Sequence, residues 1–279
     1  MKKILVAAAA AFAVASGALI GQASAADLDF MPAPPPPVFV PTWAGFYIGG
    51  HVGYGEADFD SRVDLDYFDS INAARNDSYS FFNSLSPDGL VGGIQGGYNW
   101  QINRLVLGIE ADISFTDWGD SQSSFNSNNV LRLGGPGGLA ANEYAFGSTS
   151  ADIDFLASVR GRMGFAMNNF LLYGTGGIAW ADADASARVE VYDATTDLTT
   201  TWSGNRSFSD IGFVAGAGMA WMVIPQTFSV GVEGLYYFFD QSKTLISDTI
   251  DYDRGELDVR ATASINDAWV VRARADFHF

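Results

Sequence analysis

Two carboxylates stand out first. Glu110 and Asp112 sit two residues apart in "LVLGIEADISFT" (105–116), a spacing that puts both side chains on one face of an extended strand. Paired carboxylates can share acid and base work if one of them stays protonated near neutral pH. Two arginine pairs at the same spacing, Arg160/Arg162 and Arg272/Arg274, oppose that use. A buried carboxylate needs a cationic partner, and such a partner keeps it ionised. With Glu233 and Asp276 the set becomes four acids and four arginines, which can neutralise itself. The chemistry implied is an ion-pair network, with no catalytic residues.

Other candidates are weaker. His51 and His278 are the two histidines, and imidazole is a common ligand for metal or haem. Without cysteine or a third ligand, the preferred reading is hydrogen bonding in an interior, with no metal site. "GTGGIA" (174–179) imitates a dinucleotide fingerprint, which counts only where a helix follows the strand; here alternation runs on to Trp180. No Ser–His pair suited to nucleophilic catalysis is legible. The pairs Asp58/Asp60, Asp64/Asp66, Asp182/Asp184 and Asp251/Asp253 lack the glycine and terminal glutamate of a calcium loop. They read as solvated acidic surface, with a weaker reading in which they share divalent cations with lipopolysaccharide phosphates. "GGPGG" (134–138) reads as a loop tip.

The elements that must position these groups repeat one pattern. Runs of about ten residues alternate apolar with small or polar residues, the signature of strands. They begin near residues 45, 90, 105, 153, 170, 213, 228 and 269. Three links are short, at Asn103, "MNN" (167–169) and "VIPQ" (223–226). Four are long, at about 57–88, 117–151, 182–209 and 239–262. Short and long links alternate throughout. The expected fold is all-β: an eight-stranded antiparallel transmembrane up-and-down barrel with three short periplasmic turns and four long extracellular loops, both termini at the turn side. A water-soluble eight-stranded barrel is the competitor, but it would turn its apolar face inward. Here the polar face carries the eight charges and many glycines, which suits a packed interior, since eight strands leave room only for side chains. Aromatic residues near strand ends (Tyr54, Trp100, Phe115, Trp118, Trp180, Trp221, Tyr236, Trp269) fit membrane girdles.

Compartment follows from the N-terminus. Lys2 and Lys3, an apolar stretch (4–20) and "ASA" (23–25) form a signal peptide over 1–25, cleaved between Ala25 and Ala26. Residues 26–41 form a proline-rich periplasmic segment, extended and stiff, and 42–279 the barrel domain. Without the leader lysines the net charge of −17 becomes −19, carried against twelve arginines and Lys243. Nucleic acid, which needs a basic face, is excluded as a partner. There are no cysteines, so disulfides contribute nothing. After the leader no stretch reaches the ~20 apolar residues of a spanning helix.

Five stretches also resemble a known family: "WAGFYIGGHVGYG" (43–55), "LVLGIEADISFTD" (105–117), "ASVRGRMGFA" (157–166), "LLYGTGGIAWA" (171–181) and "VRARADFHF" (271–279). They are similar to the small outer-membrane barrels of alphaproteobacteria, which include surface antigens and haemin-binding proteins of porin-family, OmpA-like design. The resemblance runs from Trp43 to Phe279. It departs at Ala220, where members often carry an inward glutamate. It implies an integral outer-membrane protein with a structural or surface role in the cell envelope and no cofactor. Haemin or small-ligand binding by the loops is the alternative, and a narrow diffusion pore the second. The implied partners are outer-membrane lipid, lipopolysaccharide and the assembly machinery, which would read the terminal Phe279.

Overall fold

The computed structural model describes residues 42–69, 77–126, 144–193, 197–252 and 255–279. The leader with Ala25 and Ala26, the proline-rich segment, the GGPGG tip and Asp253 lie outside them. Nine strands follow in order: β1 (Gly45–Asp69), β2 (Asp77–Leu85), β3 (Asp88–Ile102), β4 (Leu105–Asn126), β5 (Tyr144–Met167), β6 (Phe170–Asp193), β7 (Leu198–Ile224), β8 (Phe228–Tyr252) and β9 (Gly255–His278). All but β2 form an antiparallel ring, closed where β9 pairs with β1 from Tyr47↔His278 to Asp69↔Gly255. β2 pairs with the upper part of β1 and β3 with the lower part. Ser86 and Pro87 separate β2 from β3, and the missing proline amide interrupts the line there. The three tight turns are where alternation stops. Asn103, Asn168 and Gln226 adopt positive φ in them (55°, 53° and 59°), a conformation asparagine tolerates well.

The long connections differ from the expected loops, because they continue largely as strand. Apart from β2 and β3, the strands run 22 to 27 residues, against the ~9–11 needed to cross a bilayer. The barrel therefore has two halves of opposite polarity. In the half next to the tight turns, Phe46, Ile48, Ile94, Ile109, Met163, Phe213, Val232 and Val271 face outward and are exposed, while charges are buried inside. Aromatic clusters border this apolar belt. Phe46, Tyr98 and Trp100 lie together near the turns with ring centroids 4.6 and 4.7 Å apart, and Tyr54 lies 6.3 Å from Trp269 at the other rim. Trp118, expected in a girdle, is instead buried in the interior.

Past the upper rim the outward positions turn acidic on six strands, with Asp58, Asp88, Asp117, Asp154, Asp182 and Asp267. Inward positions become apolar at the same level. Val63, Leu65, Ala187, Val189, Trp202, Ile246, Leu257, Val259 and Ala261 pack as one core. Register shifts at Asp58/Phe59, Phe115/Trp118, Ile153/Phe155 and Phe238/Gln241 mark the reversal. On β5 and β9 the extra residues Asp154 and Asn266 exchange which alternate positions face inward, as a bulge does. Above the reversal the ring divides. The β7–β8 ladder stops at Phe213↔Phe238, and β2 pairs with β1 alone among the described residues. The upper lobe is thus two four-stranded sheets, β2-β1-β9-β8 and β4-β5-β6-β7. Each fully buried Val or Leu between them stabilises by roughly 1.5–3 kcal/mol, so the lobe has a core of its own.

Candidate functional site

The belt half of the barrel encloses the eight charges singled out in the sequence. β4 supplies Glu110 and Asp112, β5 Arg160 and Arg162, β8 Glu233, and β9 Arg272, Arg274 and Asp276. Period-two alternation aims them all inward, and each is at most 6% exposed. Cross-strand register places Glu110 opposite Arg160 and Glu233 opposite Arg272. Glycines provide the room: a Cβ on Gly97 would meet the Tyr47 hydroxyl at 2.5 Å, and one on Gly93 would meet His51 Nε2 at 2.9 Å.

Glu110 is the hub. Its Oε1 accepts from Arg160 Nη2 at 2.5 Å, and its Oε2 from Arg162 Nη2 at 2.7 Å, Arg274 Nη2 at 2.6 Å and the Tyr47 hydroxyl at 2.6 Å. Arg272 reaches Asp112 Oδ1 at 2.7 Å and Glu233 Oε2 at 2.6 Å. Arg160 Nη1 reaches Glu233 at 3.2 Å, Arg274 Nε holds Asp276 at 2.9 Å, and the Ser158 hydroxyl donates to Asp112. The guanidinium of Arg162 also lies 4.1 Å from the Tyr173 ring centroid, a cation–π contact. Four negative and four positive groups are interleaved, and every carboxylate touches a guanidinium.

The histidines do not meet. His278 stands opposite Tyr47 and His51 opposite Arg274, four residues further along β1, so they cannot share a metal or haem iron. His278 packs near Trp43 and Tyr47 and bonds Ser229 Oγ at 2.9 Å. His51 belongs to a chain that the sequence did not reveal. Asp276 Oδ1 accepts from Gln95 Nε2 at 2.7 Å, which turns the Gln95 Oε1 toward His51 Nδ1 at 2.7 Å. Nδ1 therefore donates, and Nε2 accepts from the Ser114 hydroxyl at 2.9 Å. Sixty-three positions along the chain separate Ser114 from His51, and only the register of β1, β3 and β4, with Gly93 between the two residues, brings the pair together. It has the bonding of a nucleophilic dyad, yet Ser114 is 2% exposed and Arg272 lies 3.4 Å from Nε2. The arrangement orients the lumen wall.

Two apolar layers bracket the charges. Trp43, Val106, Ala166, Leu171, Tyr173, Ala220 and Met222 fill the turn end. Val91, Trp118, Leu156, Val214, Leu235, Tyr237 and Val270 fill the side toward the lobe. Ala220 thus lies in the lower plug, and Glu233 finds its partners in Arg160, Arg272 and Arg274. The GTGGIA stretch stays within β6. Among the described residues no group of three His, Cys, Asp or Glu side chains could hold a metal ion. At the C-terminus the Phe279 amide donates to Phe46 O at 2.9 Å, with its ring 80% exposed.

Comparison with known proteins agrees with this architecture. The model of the outer membrane protein beta-barrel domain matches residues 4–264. The chain is 31% identical over 215 residues to a 22 kDa outer membrane protein of Rhizobium leguminosarum bv. viciae, covering 77% of this chain and 72% of that one. It is 29% identical over 229 residues to the 31 kDa outer-membrane immunogenic protein of Brucella melitensis biotype 1, covering 80% and 81%. Among solved structures it is similar to the attachment invasion locus protein Ail of Yersinia pestis, with 14% identity, 84% and 99% coverage and a TM-score of 0.31.

Proposed function

Because the chain belongs to the outer-membrane β-barrel family, we propose that it is a structural, surface-exposed barrel with a closed lumen and no catalytic activity. The carrying observation is the neutral network of Glu110, Asp112, Arg160, Arg162, Glu233, Arg272, Arg274 and Asp276, packed between two apolar layers. An ion or solute crossing it would have to break buried ion pairs and then pass a dry plug on either side, which leaves no hydrated path. The apolar belt sits in the bilayer, the tight turns and both termini face the periplasm after removal of the leader, and the lobe faces outward among lipopolysaccharide. Its acidic rim there shares divalent cations with lipid phosphates. Phe279, held on β1 at the point where the ring closes, is the residue read by the assembly machinery.

Haemin capture by the lobe would need an axial ligand other than imidazole, since both histidines lie within the barrel. Planar-bilayer recording on the refolded barrel tests the closed reading. A flat trace is expected, and a reproducible single-channel step overturns it. Haemin titration of the same preparation should show no saturable spectral change.

A further inference from the structure

The outer face of the β4-β5-β6-β7 sheet, above the belt, bears a polar cleft of about 380 Å³. Register builds it as two rows. Ser150, Ser186 and Asn205 stand side by side on β5, β6 and β7, and Asp152, Asp184 and Ser207 form the neighbouring row. Neighbouring strands lie about 4.8 Å apart, and alternate residues about 6.7 Å apart along each strand. The result is a two-by-three grid of hydroxyl, amide and carboxylate groups on one surface.

Most of these groups have no protein partner. Ser150 Oγ and Ser186 Oγ bond each other at 2.8 Å. Asp152, Asp184, Asn205 and Ser207 form no hydrogen bond or ion pair with any described residue. Asp152 and Asp184 are also directly opposed like charges, which costs stability in a sheet unless something accepts their bonding capacity. Burial, together with Asp154 and Asp184, holds the Asp152 carboxyl above its ordinary range. Gly119 stands beside Asp152, and a side chain there would collide with the carboxylate, so the cleft stays open on that flank.

We propose that this cleft binds an uncharged saccharide through its ring hydroxyls. A cation needs oxygens converging at about 2.3–2.6 Å on one point, whereas the grid spreads its groups over several ångströms. Anionic sugars meet two carboxylates, with Arg206 the cation at the cleft and one of its Nη atoms donating to Thr244 O at 3.1 Å. Donors and acceptors dispersed over a shallow polar surface suit a ligand that carries both around a ring. The volume falls in the range of small-molecule sites, roughly 300–1,000 Å³. The proposal rests on the outward orientation of the lobe for its biological setting, where the sugars are either those of the surrounding lipopolysaccharide or free glycans.

The test uses the full barrel refolded in lipopolysaccharide-free phospholipid vesicles. Glucose-, galactose- and mannose-terminated neutral oligosaccharides form one arm, and neutral O-chain oligosaccharides cut from lipopolysaccharide, free of phosphate and acidic sugars, the other. Saturable binding is expected in at least one arm, and which arm responds identifies the source. Asp184→Ala with Asn205→Ala should weaken it about tenfold or more, while Asp60→Ala on the opposite sheet should leave it unchanged. The inference is overturned if neither arm binds, if the double variant binds like wild type, or if only calcium or magnesium binds. Vesicle binding does not depend on orientation in cells, so its failure leaves the closed-barrel reading standing; channel activity would remove that reading alone.

Discussion

Replacing Glu110 with Gln keeps the shape of the hub and removes its charge, leaving four arginines facing three acids. The partners do not suffer equally. Arg160 keeps Glu233 at 3.2 Å and Asp112 at 3.4 Å, and Arg274 keeps Asp276 at 2.9 Å. Among the described residues Arg162 has no other carboxylate within reach, and it retains its contact with the Tyr173 ring, worth about 2 kcal/mol when desolvated. Breaking a buried pair from one side typically costs about 3–5 kcal/mol, and E110Q should fall in that range. Adding Arg162→Gln restores neutrality, so the double variant should be at least ~1 kcal/mol more stable than the sum of the two single losses. Urea unfolding in phospholipid vesicles, followed by tryptophan fluorescence, measures both. An E110Q loss below ~1 kcal/mol, or simple additivity in the double variant, would refute a dry, interlocked lumen.

Three further outcomes are expected. Gly97→Val drives a side chain against the Tyr47 ring and the Ile109 carbonyl and should cost about 1–3 kcal/mol in the same unfolding assay, whereas Gly50→Val, outward and open, should cost much less. Deleting Phe279 should leave the chain exported but poorly inserted, read as loss of the folded, heat-modifiable band in outer-membrane fractions; full insertion would refute its role. Asp58 stands above the belt, and burial, followed by its contact with Asp267, raises its carboxyl pKa. A raised folded-state pKa favours the protonated form, so the lobe should gain stability as pH falls from 7 through the raised Asp58 titration. Asp58→Asn should give that gain already at pH 7, visible as slower proteolysis or amide exchange of β1 and β9.

The belt half was legible in the sequence because its alternation sets large apolar residues against charges. "LVLGIEADISFT" and "VRARADFHF" each show it within a dozen residues. The lobe was harder to read on β6 and β9, where many of its inward residues are alanine. In "ADADASARVEV" (181–191), Ala181, Ala183, Ala185 and Ala187 alternate with Asp, Ser and Arg, and acid-rich alternation with alanine resembles a loop by composition. The period was nevertheless two. "RATASIN" (260–266) hides its strand in the same way, and its extra residue Asn266 breaks the count. The Ser114–His51–Gln95 chain had no local signal, because each member lies on a different strand.

The acidic collar also fixes how deeply the molecule floats. A shift of two residues toward the tight-turn end would carry Asp58, Asp88, Asp117, Asp182 and Asp267 below the waterline. Near the membrane surface each such carboxylate resists with less than about 1 kcal/mol, and the cost rises with depth. A shift the other way would lift Tyr54 and Phe115 out of the lipid. The two penalties oppose each other like buoyancy and weight, so the polarity reversal gives the barrel a set draught with no anchor outside its own wall.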